Sequence, residues 1–172
     1  MSEKPVNAGI RSPGDRLLHF VGTLAYLGYV PIASGTTAVA VVGIPTYWLL
    51  VGYLKVSTAT FALATGVLTI LAIWIAGRTD RVLGEQDSKK NVIDEIPGFW
   101  IALIGLPATW QTVAAAFFLE RAIDIAKVWP ANWIERRLPG GWGVVLDDVV
   151  AGLYTLGILH AVVRILPNWF GM

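Results

Sequence analysis

The chain contains no cysteine, and this absence removes several chemistries at once. Without thiols there can be no disulfide, no thiolate nucleophile and no cysteine-based zinc site. Histidine is almost as scarce, because His19 and His160 are the only two. Each stands alone in an apolar stretch, where a packing role is expected. A mechanism that passes through a phosphohistidine is therefore not favoured.

Charge is sparse as well. The 172 residues include 13 Lys and Arg against 12 Asp and Glu, which leaves a formal net charge of +1. A nucleic-acid-binding domain usually carries a broad basic face, and this chain has too few cations to form one. We therefore expect no nucleic-acid partner.

Apolar residues, in contrast, are abundant in this chain. Hydrophobic residues make up 55% of it, before its 18 glycines are counted, and the mean hydropathy is +0.62. Soluble domains reach only about 45 to 50% even with glycine included. The tryptophans lie mostly near the ends of apolar runs, as in the aromatic belts of membrane proteins: Trp48, Trp74, Trp100, Trp129, Trp133, Trp142 and Trp169. The composition predicts an integral membrane protein, and the length predicts a single domain over residues 1–172.

The start of the chain is polar. Residues 1–16 predict a surface arm, and residues 17–33 are apolar but interrupted by Gly22, Gly28 and Pro31. This second stretch could span the membrane or lie in its interface, and the sequence does not decide between the two. A signal peptide is a third reading, but no clear small-residue cleavage pattern follows.

The remaining apolar segments predict helices. The apolar stretches 39–54 and 58–76 predict a helical hairpin across the bilayer, and 149–166 predicts a further span. Residues 96–119 are interrupted at Gly105, Pro107 and Thr109. The connections on either side, 78–95 and 121–142, are both basic, so the positive-inside rule places both in the cytoplasm. The chain between them must then cross an even number of times. We expect an all-α polytopic membrane protein with a re-entrant helical hairpin.

Five acids form three clusters at the rims of the apolar segments: Asp94 and Glu95, then Asp124, then Asp147 and Asp148. An acid at the bilayer centre costs about 2.5 to 3.5 kcal/mol on insertion scales, so these carboxylates need a compensating partner. Carboxylate oxygens are the ligands that magnesium prefers. Both acid pairs are predicted to open a helix, where capping is the alternative role.

Arg121, Asp124 and Lys127 recur every third residue, which predicts one shared helix face. That face could be a salt-bridge ladder, or it could be a phosphate clamp in which the two cations bind the anion. Glu120 is expected to lie off this face, in solvent.

Glycines mark two further features. Gly35 and Thr36 follow the first apolar segment, where backbone amides could approach a phosphate. Gly98 and Gly152 each lie four residues after an acid, and predict close helix packing beneath the carboxylates.

Three blocks of sequence resemble the bacterial phosphatidylglycerophosphatase A family: SGTTAVAVVGIP, GEQDSKKNVIDEIPGFWIAL and FLERAIDIAKVWPANWIERRLPGGWGVVLDDVVAGLY. The resemblance implies a magnesium-dependent enzyme of the bacterial inner membrane that removes the terminal phosphate from phosphatidylglycerophosphate, with its site facing the cytoplasm. The matching positions are Asp87, Asp94, Glu95, Arg121, Asp124, Lys127, Asp147 and Asp148. The family usually has proline where this chain has Val128, which predicts a longer helix here.

These inferences combine into one expected site. Magnesium would be held by Asp94, Glu95, Asp147 and Asp148. Asp124 would orient or deprotonate water, and Arg121 and Lys127 would hold the phosphate. Substrate contacts are expected from Gly35, Thr36 and Asp87.

A non-enzymatic membrane protein is the alternative, with acids that line a cation path or brace the helices. The acids collect at one rim, and this favours the enzyme. Headgroup preference, metal stoichiometry and oligomeric state stay open.

Overall fold

The structure, a computed structural model, describes residues 12–84 and 88–171, and all regular secondary structure in these ranges is helical. Seven helices follow one another along the chain: α1 Pro13–Gly22, α2 Ser34–Tyr53, α3 Thr58–Leu83, α4 Glu95–Ala102, α5 Trp110–Ala126, α6 Ala131–Arg137 and α7 Gly141–Ile165. Short 3-10 turns cover Leu27–Tyr29 and Pro167–Phe170. The predicted all-α class is confirmed.

Helices α2, α3 and α7 are each long and apolar enough to cross a membrane. All three predicted spans are present, but each helix extends beyond its apolar stretch. In α3 the Ser57 hydroxyl accepts a hydrogen bond from the Thr60 amide and so caps the start, while Gly84, at a φ of 71°, terminates the helix. The extension at the C-terminal end carries α3 past Ala76 into polar sequence. In α3, caps and not hydropathy therefore set where the helix begins and ends.

The first helix is too short to span. Helix α1 has 10 residues, begins with a capping box between Ser12 and Asp15, and is followed by irregular chain up to Ala33. Residues 17–33 therefore do not form one membrane-spanning helix. Residues 13–16 of the predicted polar arm belong to α1, where Pro13, Gly14 and Arg16 are exposed; residues 1–11 lie outside the described part of the chain.

Helices α4 and α5 form the predicted pair. They are joined by a turn in which Gly105 has a φ of 72°, and the carbonyl of Ile104 in this turn lies 3.0 Å from Nε2 of His160. At 17 residues, α5 rises about 25 Å. The turn contacts Thr58 and His160, near the ends of α3 and α7 that lie away from the acids. Both outer ends of the pair therefore lie at the end of the bundle that carries the acids.

Trp100 departs from its predicted interfacial position. Its side chain is buried, and its indole Nε1 donates a 3.2 Å hydrogen bond to the carbonyl of Gly43. The bond ties α4 to α2. Trp74, Trp129, Trp133, Trp142 and Trp169 are exposed, as the aromatic-belt interpretation requires.

Helices α4 and α7 cross with almost no side chain between them. A Cβ built on Gly98 would lie 2.8 Å from the carbonyl oxygen of Asp148, and one built on Gly152 would overlap the carbonyl oxygen of Gly98. The close packing predicted at these two glycines is confirmed. It brings the start of α4 against the turn of α7 that carries Asp147 and Asp148.

Substitution of Gly152 by Ala is expected to lower the free energy of unfolding by about 1 to 3 kcal/mol, because the added methyl group has no room beside a backbone carbonyl. Thermal unfolding in detergent measures the loss. Gly157→Ala on the same helix is the matched control, since nothing lies within 4 Å of a Cβ at that position. Equal stability of the two variants would contradict the packing.

A candidate active site at one end of the bundle

One end of the bundle encloses a cavity of about 500 Å³. Its walls come from the chain before and at the start of α2, the 88–95 segment, the C-terminal end of α5 and the first turns of α7. All three acid clusters contribute. The charged residues in the lining are Lys89, Asp94, Glu95, Arg121, Asp124, Lys127, Asp147 and Asp148.

The acids reach the cavity from different helix positions. Asp94 and Glu95 are at the start of α4, as predicted, but the Asp94 side chain makes no capping hydrogen bond. Asp147 and Asp148 do not open a helix, because α7 already begins at Gly141. Gly141 lies so close to the carbonyl of Ile73 in α3 that a Cβ would overlap it, so the first turn of α7 packs directly against α3. Capping therefore accounts for neither pair.

Three carboxylates from three helices meet in the cavity. One oxygen each from Glu95, Asp124 and Asp148 lie within 4.8 Å of one another. Asp148 is buried, and its Oδ2 has no hydrogen-bond partner among residues 12–84 and 88–171; the same is true of Oδ1 of Asp94. Buried carboxylate oxygens without a donor are costly unless a cation joins them. The donor set consists only of oxygen and therefore fits a hard divalent cation such as magnesium.

Arg121 joins this group from the side. Its Nε and Nη2 donate to the two Glu120 oxygens at 2.7 and 2.6 Å, and its Nη1 pairs with Glu95 and lies 3.6 Å from Asp124. The solvated position predicted for Glu120 is wrong, because this residue is fully buried. Adjacent residues of a helix do not normally face each other, so spacing alone could not reveal the pair.

Lys127 lies beyond the predicted helix face. Helix α5 ends at Ala126, and Lys127 follows it with a φ of 47°, so the further turn expected from Val128 does not form. The ammonium group of Lys127 pairs with Asp147 and lies 3.3 Å from Glu135. Both cations of the predicted clamp are thus already bound by acids.

Three charged groups of the site lie outside the three helices able to cross a membrane, and burial and neighbouring charge shift their pKa values. Burial raises the pKa of Asp94 well above its usual range, and the nearby charges of Glu95 and Asp147 add to the effect. Burial also raises the pKa of Glu95 to about 7, although Arg121 opposes it. For Lys127, burial lowers the pKa, but the hydrogen bond to Asp147 and its charge outweigh this, and the net pKa is raised.

Gly35 and Thr36 line the cavity, and Gly35 is so close to Glu95 that a Cβ would overlap its carboxylate. Asp87 lies outside the described residues. Sequence reasoning missed Asn91, a buried residue that also lines the cavity. Its Nδ2 donates to Oδ1 of Asp80 and to the carbonyl of Ala76, each at 3.2 Å, and this fixes the segment before Asp94 to α3. The available signal in the sequence was the polar side chain of Asn91, three residues before Asp94.

Three helices able to cross a membrane and a carboxylate-lined cavity at one of their ends define a helical membrane protein with a polar, acid-rich site. More particularly, the chain belongs to the phosphatidylglycerophosphatase A family, whose model matches residues 20–163.

Curated relatives agree with this assignment. Phosphatidylglycerophosphatase A of Escherichia coli is 35% identical over 134 residues, which cover 77% of this chain and 76% of the relative. The enzyme of the same name from Haemophilus influenzae is 32% identical over 59% of this chain and 63% of its own length. A Bacteroides thetaiotaomicron protein, provisionally named phosphatidylinositol-3-phosphatase, is 36% identical over 84% of this chain and 91% of its own length. No solved structure matches the chain significantly.

Proposed function

We propose that this protein is a magnesium-dependent phosphatidylglycerophosphatase, which hydrolyses the terminal phosphate monoester of phosphatidylglycerophosphate to phosphatidylglycerol and inorganic phosphate. The observation that carries the proposal is the meeting of Glu95, Asp124 and Asp148 within 4.8 Å, in a chain of this family. Water supplies the attacking oxygen, the phosphorus–oxygen bond to the glycerol breaks, and the departing glycerol oxygen takes up a proton.

Glu95, Asp124 and Asp148 are the proposed ligands of magnesium, with Asp94 beside them. When bound, the metal supplies positive charge that offsets the charge on the phosphoryl oxygens. Phosphate monoesters are among the slowest bonds to hydrolyse unaided, so charge stabilisation must account for much of the rate. The buried oxygens of Asp94 and Asp148 that lack a donor support this assignment.

The chain's own residues have distinct proposed tasks. The side chain of Asp124 is 17% exposed, so the carboxylate oxygen that does not bind the metal can orient the attacking water and accept its proton from the open side of the cavity. Arg121 holds Glu95 and Asp124 together and retains N–H groups beyond those bound by Glu120. Lys127, whose side chain is 38% exposed, attracts the dianionic phosphate, and Asp147 positions the Lys127 ammonium group.

The substrate phosphate would reach this cavity from the cytoplasmic face of the bacterial inner membrane. Support comes from basic residues that lie toward the same end of the bundle as the cavity: Arg78, Arg81, Lys89, Lys90, Arg136 and Arg137. Such residues favour the cytoplasmic side of a membrane. The acyl chains would remain in the bilayer.

The distribution of acids does not support a cation path. Residues 34–53, 58–79, 96–119 and 149–165 contain no Asp or Glu, so the acids of the site do not continue through the depth of the bundle. A transmembrane cation path would need polar groups along its length.

Phosphate release by the purified protein in detergent tests the proposal. With phosphatidylglycerophosphate and magnesium we expect steady release, which EDTA abolishes and an excess of magnesium restores. Release that persists in EDTA would remove magnesium from the mechanism. Phosphatidylinositol 3-phosphate serves as the comparison substrate, because one relative carries that name; faster hydrolysis of this lipid would overturn the substrate assignment and leave the chemistry intact.

A further inference from the structure

The cavity is bordered by apolar side chains that the chemistry does not use. Val30 and Pro31, in the chain before α2, line one side of the cavity, and Ile125, near the end of α5, lines another. These residues are also open to the surroundings: Val30 is 36% exposed and Ile125 is 76% exposed. The same three side chains therefore face both the polar cavity and the space outside the protein.

Val30 and Pro31 lead into α2, and Ile125 belongs to α5, but these two helices are not packed together. In the described part of the chain α2 and α5 share almost no close contacts, while each of them packs against α4. At the level of the cavity Glu95 stands between them, because Gly35 of α2 and Arg121 of α5 both contact it. The first turn of α2 and the last turn of α5 thus leave an opening between them, directly over the carboxylates.

We propose that this opening is a lateral entrance for the lipid, and that the acyl chains of the substrate lie between Val30–Pro31 and Ile125 while its phosphate reaches Glu95. The proposal rests on the proposed function. The occupant is a diacyl phospholipid, because only a ligand with a charged end and a long apolar end suits both parts. The acids would hold the metal, and the metal together with Arg121 and Lys127 would hold the phosphate, whereas exposed aliphatic side chains favour hydrocarbon.

The entrance predicts that Ile125 contributes to the hydrolysis of long-chain lipid and not to the chemistry itself. The chain has no cysteine, so an Ile125→Cys variant carries one unique thiol. Modification of this thiol with a bulky polar maleimide should lower hydrolysis of dioleoyl phosphatidylglycerophosphate about tenfold or more, since binding of the remote acyl chains is lost. Hydrolysis of the deacylated, water-soluble headgroup phosphate should fall much less, because this substrate has no acyl chains to place beside Ile125.

Leu17→Cys provides the matched control. Leu17 is 64% exposed but does not line the cavity, and it lies on α1, which packs against α3. Modification there should leave both activities as they were. An equal loss on both substrates after modification at Ile125, or no loss on either, would overturn the entrance.

A binding measurement separates this proposal from the proposed function. A dioleoyl lipid with a non-hydrolysable phosphonate at its terminus should slow maleimide modification of the Ile125→Cys thiol more than phosphatidylcholine at the same mole fraction does. No such difference is expected at Leu17→Cys. If the unmodified protein hydrolyses neither substrate, the proposed function fails, and thiol protection still decides whether the lipid occupies the entrance. Equal protection of the Ile125→Cys thiol by both lipids would contradict the proposed entrance.

Discussion

Substitution of Asp148 by Asn is expected to abolish phosphate release almost completely while leaving the protein folded. One carboxylate oxygen of Asp148 lies within 4.8 Å of an oxygen of Glu95 and one of Asp124, and its Oδ2 has no donor in the described part of the chain. Removal of one group that stabilises charge in an active site typically costs about 100-fold to 1,000-fold in turnover. A loss of that size is expected here in a detergent assay with saturating magnesium.

The stability of Asp148→Asn, unlike its activity, should be kept or increased. Asp148 is buried among other acids, so in the absence of metal an uncharged side chain of the same shape relieves repulsion. In EDTA the unfolding temperature of Asp148→Asn should therefore equal or exceed that of the unchanged protein. Magnesium should raise the unfolding temperature of the unchanged protein and have little effect on the variant, because a ligand stabilises only the state that binds it.

Asp15→Asn is the control for this experiment, since Asp15 caps α1 and lies outside the cavity lining. It should retain full activity and its response to magnesium. If Asp148→Asn instead fails to fold, the acids brace the helices, as the non-enzymatic alternative supposes. An active, folded Asp148→Asn would remove this residue from the metal site.

Substitution of Glu120 by Ala is expected to destabilise the protein by about 3 to 5 kcal/mol, the usual cost of removing one partner from a buried ion pair. Glu120 is fully buried and accepts two hydrogen bonds from the Arg121 guanidinium. Without it, the Nε and Nη2 groups of Arg121 lose their acceptors inside the protein. The unfolding free energy in detergent should fall accordingly.

Activity of any folded Glu120→Ala protein should also fall, about 10-fold to 100-fold, as is usual when a group that orients metal ligands is removed. Arg121 contacts Glu95 and Asp124, so its release loosens two of the three proposed ligands. A higher magnesium concentration should restore part of the rate, which simple destabilisation would not allow. Activity loss without any change in the magnesium requirement would contradict this positioning role.

Glu135→Ala is the matched control, because Glu135 also pairs with a site cation. Its carboxylate lies 3.3 Å from Nζ of Lys127, but the side chain is 28% exposed and that of Lys127 is 38% exposed. A pair in contact with solvent contributes only about 0 to 1 kcal/mol. Equal destabilisation by Glu120→Ala and Glu135→Ala would show that burial of the Arg121 pair has no special weight.

Much of the site was predictable because its residues carry chemical information in their type. The acids at 94–95, 124 and 147–148 stand out against apolar surroundings, and all of them line one cavity. The basic connections also predicted correctly that α4 and α5 form a pair with both outer ends at the same end of the bundle. These inferences depend on charge and hydropathy alone, which need no contacts.

The errors have a common cause. Glu120 was placed in solvent, Asp147 and Asp148 at a helix start, and Lys127 on the face of α5, because each was judged from neighbours along the chain. Glu120 is buried together with its neighbour Arg121, Lys127 leaves α5 through its left-handed backbone conformation, and α7 begins at Gly141, which packs against α3. Residue spacing along the chain encodes none of these three outcomes.

The class of protein, the helices able to span a membrane, the family and the acids of the site all follow from local composition or from motifs that need no fold. Three features depend on the packing of the helices instead: the close group of Glu95, Asp124 and Asp148, the pair between Arg121 and the buried Glu120, and the opening between α2 and α5. Distances between carboxylates on three different helices are set by how those helices pack, here at the Gly98 and Gly152 crossing. No spacing along the chain encodes that geometry.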